Sequence, residues 1–579
     1  MEAYYELYYR LVDAVKSGSH STIDLILGEE IFRSTLAWED WHGGNRATLI
    51  NTAVSRNDVE TVQRLLDYGV SINVDEKRTR VIPPLIYAVV LGHERIAEIL
   101  ATRAKEHVDQ RTCIKVHYKL VNGDSALHAA SRCGFVRIAA MLLRNGATID
   151  ALNINNETPF HSMIGATITT EARLEMARYL LNQGARIDIG YKPTLLVAIE
   201  QKQLEVAHLI ISMRYDAIRM TDSLGNGAMH YALKVYCPME FMTMLVKKGM
   251  WVNEPNWAGE RPLHVASRYR NYVMAKFLLD HRAYVNAISD SNETPLYLAA
   301  FNGNMPMVKL LLSRGAVINF KTNLEQTAFH AACQFGSLEM VHEMIKYGAK
   351  INGVSTYTQA PLYFACTKPS NDIVKALLES GANPNPVTDI PYETPLDYAC
   401  RRGFEDTVWI LLKYGVYINR LAYAYGIGTP YDYNITTMLI THALLAKHQV
   451  KCERFFTTYQ DYPEFAQCQN ELEVMKATEF YPKLTFYKML VMQQQELTRM
   501  MRSVEVREAF EANFREDRFP MYKRYFTDKY ADTKRMLKER DSAEEVLSSI
   551  FFTVLPFEAV TKILDYVSFD DIKFLAKFE

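Results

Sequence analysis

The 579-residue chain lacks an uninterrupted apolar run of about eighteen residues, the minimum for a helix that crosses a bilayer. Its first residues, Met1-Glu2-Ala3-Tyr4-Tyr5-Glu6, lack the basic start and apolar core of a secretory signal. Net charge is almost absent: the formal value is −2. That gives no global reason to expect nucleic acid or an anionic membrane as partner. The eight cysteines form no C-x-x-C pair and no disulfide framework, so a reducing compartment is the expectation. Also missing are a glycine-rich phosphate loop, an H-E-x-x-H pair and a Ser-His-Asp constellation. No enzymatic activity, cofactor or metal is therefore expected.

What the chain has instead is repetition. Ser291 to Asn319 reads as a turn, a short helix entered at Thr294-Pro295, a break at Gly303, a second apolar helix and a stop at Gly315. Thr294 can cap the first helix, and Pro295 suits its first turn because the missing N–H would be unused there. Leu296, Ala299 and Ala300 form a narrow stripe of small residues; Val308, Leu310, Leu311 and Leu312 form a bulkier one. Neither helix can bury its stripe alone, so the unit requires neighbours.

The neighbours follow in phase. Gly315, Gly348 and Gly381 recur every 33 residues, Gly415 comes 34 later, and Arg282 occupies the slot midway between Gly249 and Gly315. Each unit opens on a tetrapeptide such as Ser125-Ala126-Leu127-His128, Thr158-Pro159-Phe160-His161, Arg261-Pro262-Leu263-His264, Thr327-Ala328-Phe329-His330 or Thr394-Pro395-Leu396-Asp397. Period and tetrapeptide resemble the ankyrin repeat, which implies an all-α solenoid of helix-turn-helix units with β-turn or hairpin tips. The resemblance also implies that His128, His161, His230, His264 and His330 bridge neighbouring turns. Cys333, Cys366 and Cys400 share one slot of the first helix and read as small core residues.

The expected organisation is a degenerate capping repeat over 1–40 and a solenoid of eleven repeats over 41–420. About nine extra residues around Arg103 to Lys119 read as a projecting loop or an extended helix with a charged, solvated face, and Pro193 to Asp216 as a unit that has lost its glycine stop. After Asn419 the period ends. Helices are predicted over Asn434–His448, Glu464–Thr478, Thr485–Met501, Val504–Asn513 and Phe519–Lys538, forming a small helical region, 421–545, that covers the end of the stack.

Candidate target-binding positions are the turn tips and the two residues before each helix break: Trp257, Arg268, Tyr269, Phe301, Asn302, Gln334, Phe335, Tyr357, Arg401 and Arg402. Aromatic and Arg side chains are the types that protein interfaces favour.

The stretch Val554-Leu555-Pro556-Phe557-Glu558-Ala559-Val560-Thr561-Lys562-Ile563-Leu564-Asp565-Tyr566-Val567-Ser568-Phe569-Asp570-Asp571-Ile572 resembles an F-box core. Pro556 can start a helix with Val560, Ile563, Leu564 and Val567 on one face. Repeats, then a helical region, then this ending resemble the PRANC-bearing proteins of poxviruses, which have relatives in parasitoid wasps and intracellular bacteria. The resemblance implies a substrate-recruiting adaptor in the cytoplasm, or nucleus, of a host cell. Leu555, Pro556, Val560, Ile563, Leu564, Val567, Phe569 and Ile572, within 546–579, would bind the Skp adaptor of a cullin–RING ubiquitin ligase, and the repeats would hold a target protein. The alternative is an ankyrin scaffold that sequesters a host protein without a ligase.

Overall fold

The computed structural model describes residues 2–29, 49–70, 72, 82–103, 108–111, 123–355, 359–368, 371–386, 394–418, 433–445, 463–514 and 518–551. The chain divides into two compact units, Met1–Asn323 and Leu324–Glu579.

The first unit is a succession of helix pairs: Glu2–Ser17 with His20–Gly28, Leu49–Ser55 with Val59–Asp67, Pro84–Leu91 with Glu94–Arg103, and Ala126–Cys133 with Val136–Arg144. Pro159–Ile164 with Thr170–Asn182, Thr194–Glu200 with Leu204–Met213, Ala228–Lys234 with Met239–Lys247, Pro262–Arg268 with Tyr272–Asp280, and Pro295–Phe301 with Met305–Ser313 complete it. The local chemistry of the last pair is what its sequence dictates. Thr294 Oγ1 accepts the Tyr297 N–H at 3.1 Å. Gly315 stands at φ +85°, a left-handed conformation that ends the second helix. Leu296, Ala299, Ala300, Val308 and Leu311 are buried. Arg282, in the same slot as Gly315, adopts φ +66° in spite of its side chain.

Two irregular units have visible causes. Where the glycine stop is lost, a 3₁₀ turn, Tyr215–Arg219, takes over the exit from the second helix, with Ala217 and Ile218 buried under it. Of the segment expected to project near Arg103 to Lys119, the described part includes Val108–Arg111, where Asp109 accepts the Thr148 N–H at 3.0 Å.

The second unit begins with three more pairs: Ala328–Phe335 with Leu338–Lys346, Pro361–Cys366 with Asn371–Glu379, and Pro395–Arg402 with Glu405–Lys413. Cys333, Cys366 and Cys400 are buried, and burial pushes the thiols of Cys333 and Cys366 well up. Beyond the repeats come Tyr433–Leu445, Pro463–Ala477, Phe486–Val491, Gln494–Met500, Val504–Asn513 and Lys523–Phe551. The strands Glu479–Tyr481 and Leu484–Thr485 pair antiparallel across Pro482 and Lys483, so Thr485, expected to begin a helix, ends a strand and caps the helix that follows.

The single helix expected over Thr485–Met501 is two. Lys529 Nζ donates to the carbonyls of Leu490, at 2.5 Å, and Met492, at 2.6 Å. Continued helix would need those acceptors for the N–H groups four residues on, and Met492 turns extended at ψ 147°. The final helix also continues past the expected Lys538. Its N-terminal half joins two cores. Phe526 meets Phe486 and Phe519 at ring-centroid distances of 5.7 and 5.8 Å. Tyr525 stands edge-on to Trp409 at 4.4 Å. Trp409 Nε1 donates to Asp528, Arg524 pairs with Asp406 at 2.6 Å, and Lys413 pairs with Asp532. The helical region thus covers the second helix of the last repeat. Residues 552–579, with the F-box-like positions Leu555 to Ile572, lie outside the described residues.

Candidate functional site

The histidines of the opening tetrapeptides are occupied by the backbone. Nδ1 accepts the N–H of the residue that starts the turn: Ser125 at 3.2 Å, Thr158 at 3.2 Å, Gly227 at 3.3 Å, Arg261 at 3.0 Å and Thr327 at 3.1 Å. Nε2 then carries the proton and donates to a carbonyl of the following turn. The acceptors are Glu157 at 3.0 Å, Lys192 at 2.7 Å, Glu260 at 3.0 Å, Glu293 at 3.1 Å and Gly353 at 3.0 Å. Both ring nitrogens are spent on this ladder. Burial pushes His128, His161 and His230 below the ordinary imidazole range and His264 down to about 4, which keeps the rings neutral.

The candidate binding positions of the first unit fall into two groups. Trp257 stands at a turn tip, 71% exposed, its N–H donating to Leu224 O at 3.0 Å and its ring lying against Gly225. Leu224 is itself exposed, so the two tips make one apolar knob. The other group sits at the ends of the first helices. Arg268 is ion-paired with Glu260 and lies 3.9 Å from Glu293, so the carboxylates of two successive turns largely neutralise it. The Tyr269 carbonyl accepts the Tyr236 hydroxyl. Phe301 is exposed and stacked on Tyr297, with centroids 6.3 Å apart. Asn302 is a tie between repeats: Nδ2 donates to Leu298 O at 2.9 Å and Arg268 O at 3.2 Å, while its carbonyl receives Arg270. These bonds bring Arg268, Tyr269, Phe301 and Asn302 onto one patch.

In the second unit Gln334 and Phe335 are half-buried, with Lys368 Nζ 4.7 Å from the Phe335 ring. The Arg401 guanidinium stands 5.0 Å over Tyr398, and Arg401 and Arg402 are exposed. Tyr357 lies outside the described residues.

Sequence reasoning overlooked a second row, two residues past the terminal slot: Trp251, Tyr284 and Val317, each about half exposed. Trp251 and Tyr284 meet edge-on at 6.4 Å. The same 33-residue count that located Gly249, Arg282 and Gly315 would have found them. Also overlooked is a cation cluster in which Lys192 pairs with Glu200 at 2.5 Å and stands 4.7 Å over the Tyr231 ring, whose hydroxyl donates to Asp222 at 2.8 Å.

Aromatic and charged side chains thus stand, largely exposed, at turn tips and at the ends of first helices, an arrangement suited to holding another protein. Among the described residues no helix is long and apolar enough to cross a membrane.

A family model described as "Ankyrin repeats (3 copies)" matches residues 11–112, 195–289, 285–355 and 353–422, and one described as "Ankyrin repeat" matches 122–154. The human transient receptor potential cation channel subfamily A member 1 is 25% identical over 292 residues, 43% of this chain and 24% of that protein. The human B-cell lymphoma 3 protein is 33% identical over 113 residues, 19% of this chain and 22% of that protein. An ankyrin repeat protein of Fowlpox virus (strain NVSL) is 26% identical over 176 residues, 29% of this chain and 48% of that protein. The chain therefore spans about a quarter of the two human relatives and about half of the viral one.

Proposed function

The chain belongs to the ankyrin-repeat family, and from that premise we propose that it is a substrate-recruiting adaptor of a cullin–RING ubiquitin ligase. The repeats point to protein–protein interaction. In this reading the patch of Arg268, Tyr269, Phe301 and Asn302, with Trp257, Gln334, Phe335, Tyr357, Arg401 and Arg402, contacts a target protein. Residues 421–545 form the linking helical region, and 546–579 dock on the Skp adaptor through Leu555, Pro556, Val560, Ile563, Leu564, Val567, Phe569 and Ile572. The chain makes and breaks no bond itself. It raises the effective concentration of a target lysine beside a charged conjugating enzyme. The setting would be the cytoplasm or nucleus of a host cell, a placement supported by the similarity to a poxvirus ankyrin repeat protein.

The observation that carries the adaptor reading is the pattern over 554–572: Leu-Pro, an acidic residue, paired aliphatics at helical spacing, then Ser and Asp ahead of a further apolar position. Affinity purification of the full chain, with and without residues 555–579, tests it. Skp adaptor and cullin should come down with the full chain and vanish from the truncated one, while the target stays. Skp retained by the truncated chain would overturn the docking assignment. The double substitution Arg268→Ala with Tyr269→Ala should abolish target capture with the fold intact, because the Arg268 ion pairs are half-exposed and worth at most about 1 kcal/mol.

A second reading, a scaffold that sequesters a host protein, rests on the repeats alone, which are what the family matches cover. It differs in outcome: the target co-purifies, and no cullin accompanies it even with the full chain.

A further inference from the structure

We infer that the first unit carries a second docking surface, separate from the patch around Arg268. It is a groove beside Arg282 that takes an acidic peptide segment with an aliphatic anchor. The inference rests on the reading of this chain as a protein-binding scaffold and adds a site and a partner chemistry to it.

The groove has a volume of about 640 Å³ and is formed by the run Arg282 to Ile288 together with Arg261. It is shallow and largely open to solvent, a shape that suits a chain segment lying along it rather than an enclosed small molecule. Tyr284 and Ile288 are exposed at it, 53% and 40%, and Ala283 and Ala287 form buried floor. The wall is held stiff from behind. Asn253 accepts the Tyr284 N–H at 2.8 Å and donates to Arg282 O at 3.1 Å. Asn286 accepts the Val317 N–H at 2.8 Å and donates to Gly315 O at 3.2 Å. Trp251 supports the Tyr284 ring edge-on. A preformed apolar wall needs little ordering when a ligand arrives.

Charge selects the occupant. Among the described residues, the charged residues of the groove are both arginines and no carboxylate lines it. Arg261 gives one N–H to Ile288 O at 3.1 Å, and its Nε is buried without a partner among the described residues. Three carboxylates close to them in the chain are engaged elsewhere: Glu260 and Glu293 with Arg268, and Asp280 with Arg314 at 2.8 Å. Two guanidinium groups beside an apolar wall match carboxylates flanking an aliphatic side chain. Single-stranded nucleic acid, the other polyanion, is disfavoured by the apolar floor of Ala283 and Ala287 and by the chain's formal charge of −2.

Backbone geometry supplies a clean substitution for testing the groove. Gly249 and Gly315, in the equivalent slots on either side, stand at φ +82° and +85°, whereas Arg282 is held at +66°. A side chain in the left-handed region costs about 1 kcal/mol per residue, which glycine would avoid. Lys202, Tyr236 and Arg270 stand at similar positive φ, so the conformation accommodates an arginine at this slot and glycine can replace it without strain.

The test uses the full chain, carrying Arg282 or the substitution Arg282→Gly, and fluorescence anisotropy with three labelled probes. They are a peptide of Asp, Glu, Leu and Ile residues, its Asn/Gln counterpart and an oligothymidylate. The acidic peptide should bind at least about tenfold more tightly than the neutral one, as expected for charge-assisted bonds to guanidinium, and binding should weaken with salt. Arg282→Gly should remove that preference while leaving thermal stability equal or higher, so the loss cannot be laid to unfolding. Tyr284→Ala should weaken both peptides. Equal binding of the two peptides, an unaffected Arg282→Gly variant, preference for the oligonucleotide, or no binding would each overturn the groove. Target capture through the Arg268 patch is read in the separate purification, so failure here leaves the scaffold reading standing and failure there leaves this titration interpretable.

Discussion

Lowering the pH from 7.5 to 4.5 should unfold the first unit through its histidine ladder. Four of the ladder histidines, His128, His161, His230 and His264, lie in Met1–Asn323 and are pushed down by burial. Protonating Nδ1 would replace an acceptor with a second donor facing a backbone N–H. His264 shows the size: its folded value is about 4 against an ordinary 6.5. Above pH 6.5 both states are neutral and the stabilisation is complete. As pH falls from 6.5 towards 4 the unfolded chain takes a proton that the folded chain refuses, and stability drops through that window. At about 1.4 kcal/mol per pKa unit, His264 alone accounts for ~3 kcal/mol. His128, His161 and His230 are pushed in the same direction and add to that loss, which is already sizeable against a typical domain stability of about 5–15 kcal/mol. Urea titrations followed by circular dichroism should show the midpoint falling steeply between pH 6.5 and 5, before most carboxylates titrate. His264→Gln should be less stable at pH 7.5 by about 1–2 kcal/mol, since a buried backbone group loses its partner, and should show a shallower pH slope. A midpoint unchanged between pH 7 and 5 would refute the neutral-ladder argument.

Other expectations concern packing. Leu311→Ala, at a fully buried position, should cost about 2–5 kcal/mol in the first unit's transition. Gly225→Ala should destabilise by more than about 1 kcal/mol, because φ is +77° and the new Cβ would lie 2.7 Å from the Trp257 backbone nitrogen. Trp409→Ala should loosen the final helix by about 3–5 kcal/mol, detectable as faster amide exchange in Lys523–Phe551. A double-mutant cycle on the part-exposed Lys413–Asp532 pair should return less than about 1 kcal/mol. Cys333 and Cys366 should react with thiol reagents only after unfolding, as burial disfavours both access and thiolate.

The fold was legible where one repeat constrains the next. Thr294-Pro295, the small stripe of Ala299 and Ala300, and the glycine slots are local signals, and periodicity multiplies them. Beyond Asn419 that multiplication ends, and long-range partners decide. The break at Met492 depends on Lys529, which lies far along the chain, on a helix that also packs against Trp409. No local pattern announces a distant lysine that takes the carbonyls of Leu490 and Met492 at a helix end, so Thr485–Met501 reads as one helix.

The candidate surface was only half legible for a related reason. Counting positions before each helix break finds side chains that point outward but not what they touch. Asn302 reads from its position as a contact residue, yet both of its amide hydrogens go to backbone carbonyls of its own and the preceding repeat, so it fixes the spacing of the patch. Arg268, chosen for its charge, is shared between Glu260 and Glu293. A target reaching this patch must therefore gain its affinity chiefly from Phe301 and the Tyr269 ring, with the ion pair at the rim setting orientation and salt dependence. Phe301→Ala should then weaken target capture more than Arg268→Ala alone, and raising salt should mimic the Arg268 change but not the Phe301 one. If Arg268→Ala proved the more damaging, the carboxylates of Glu260 and Glu293 would have to be released on binding, and the patch would be an ionic one.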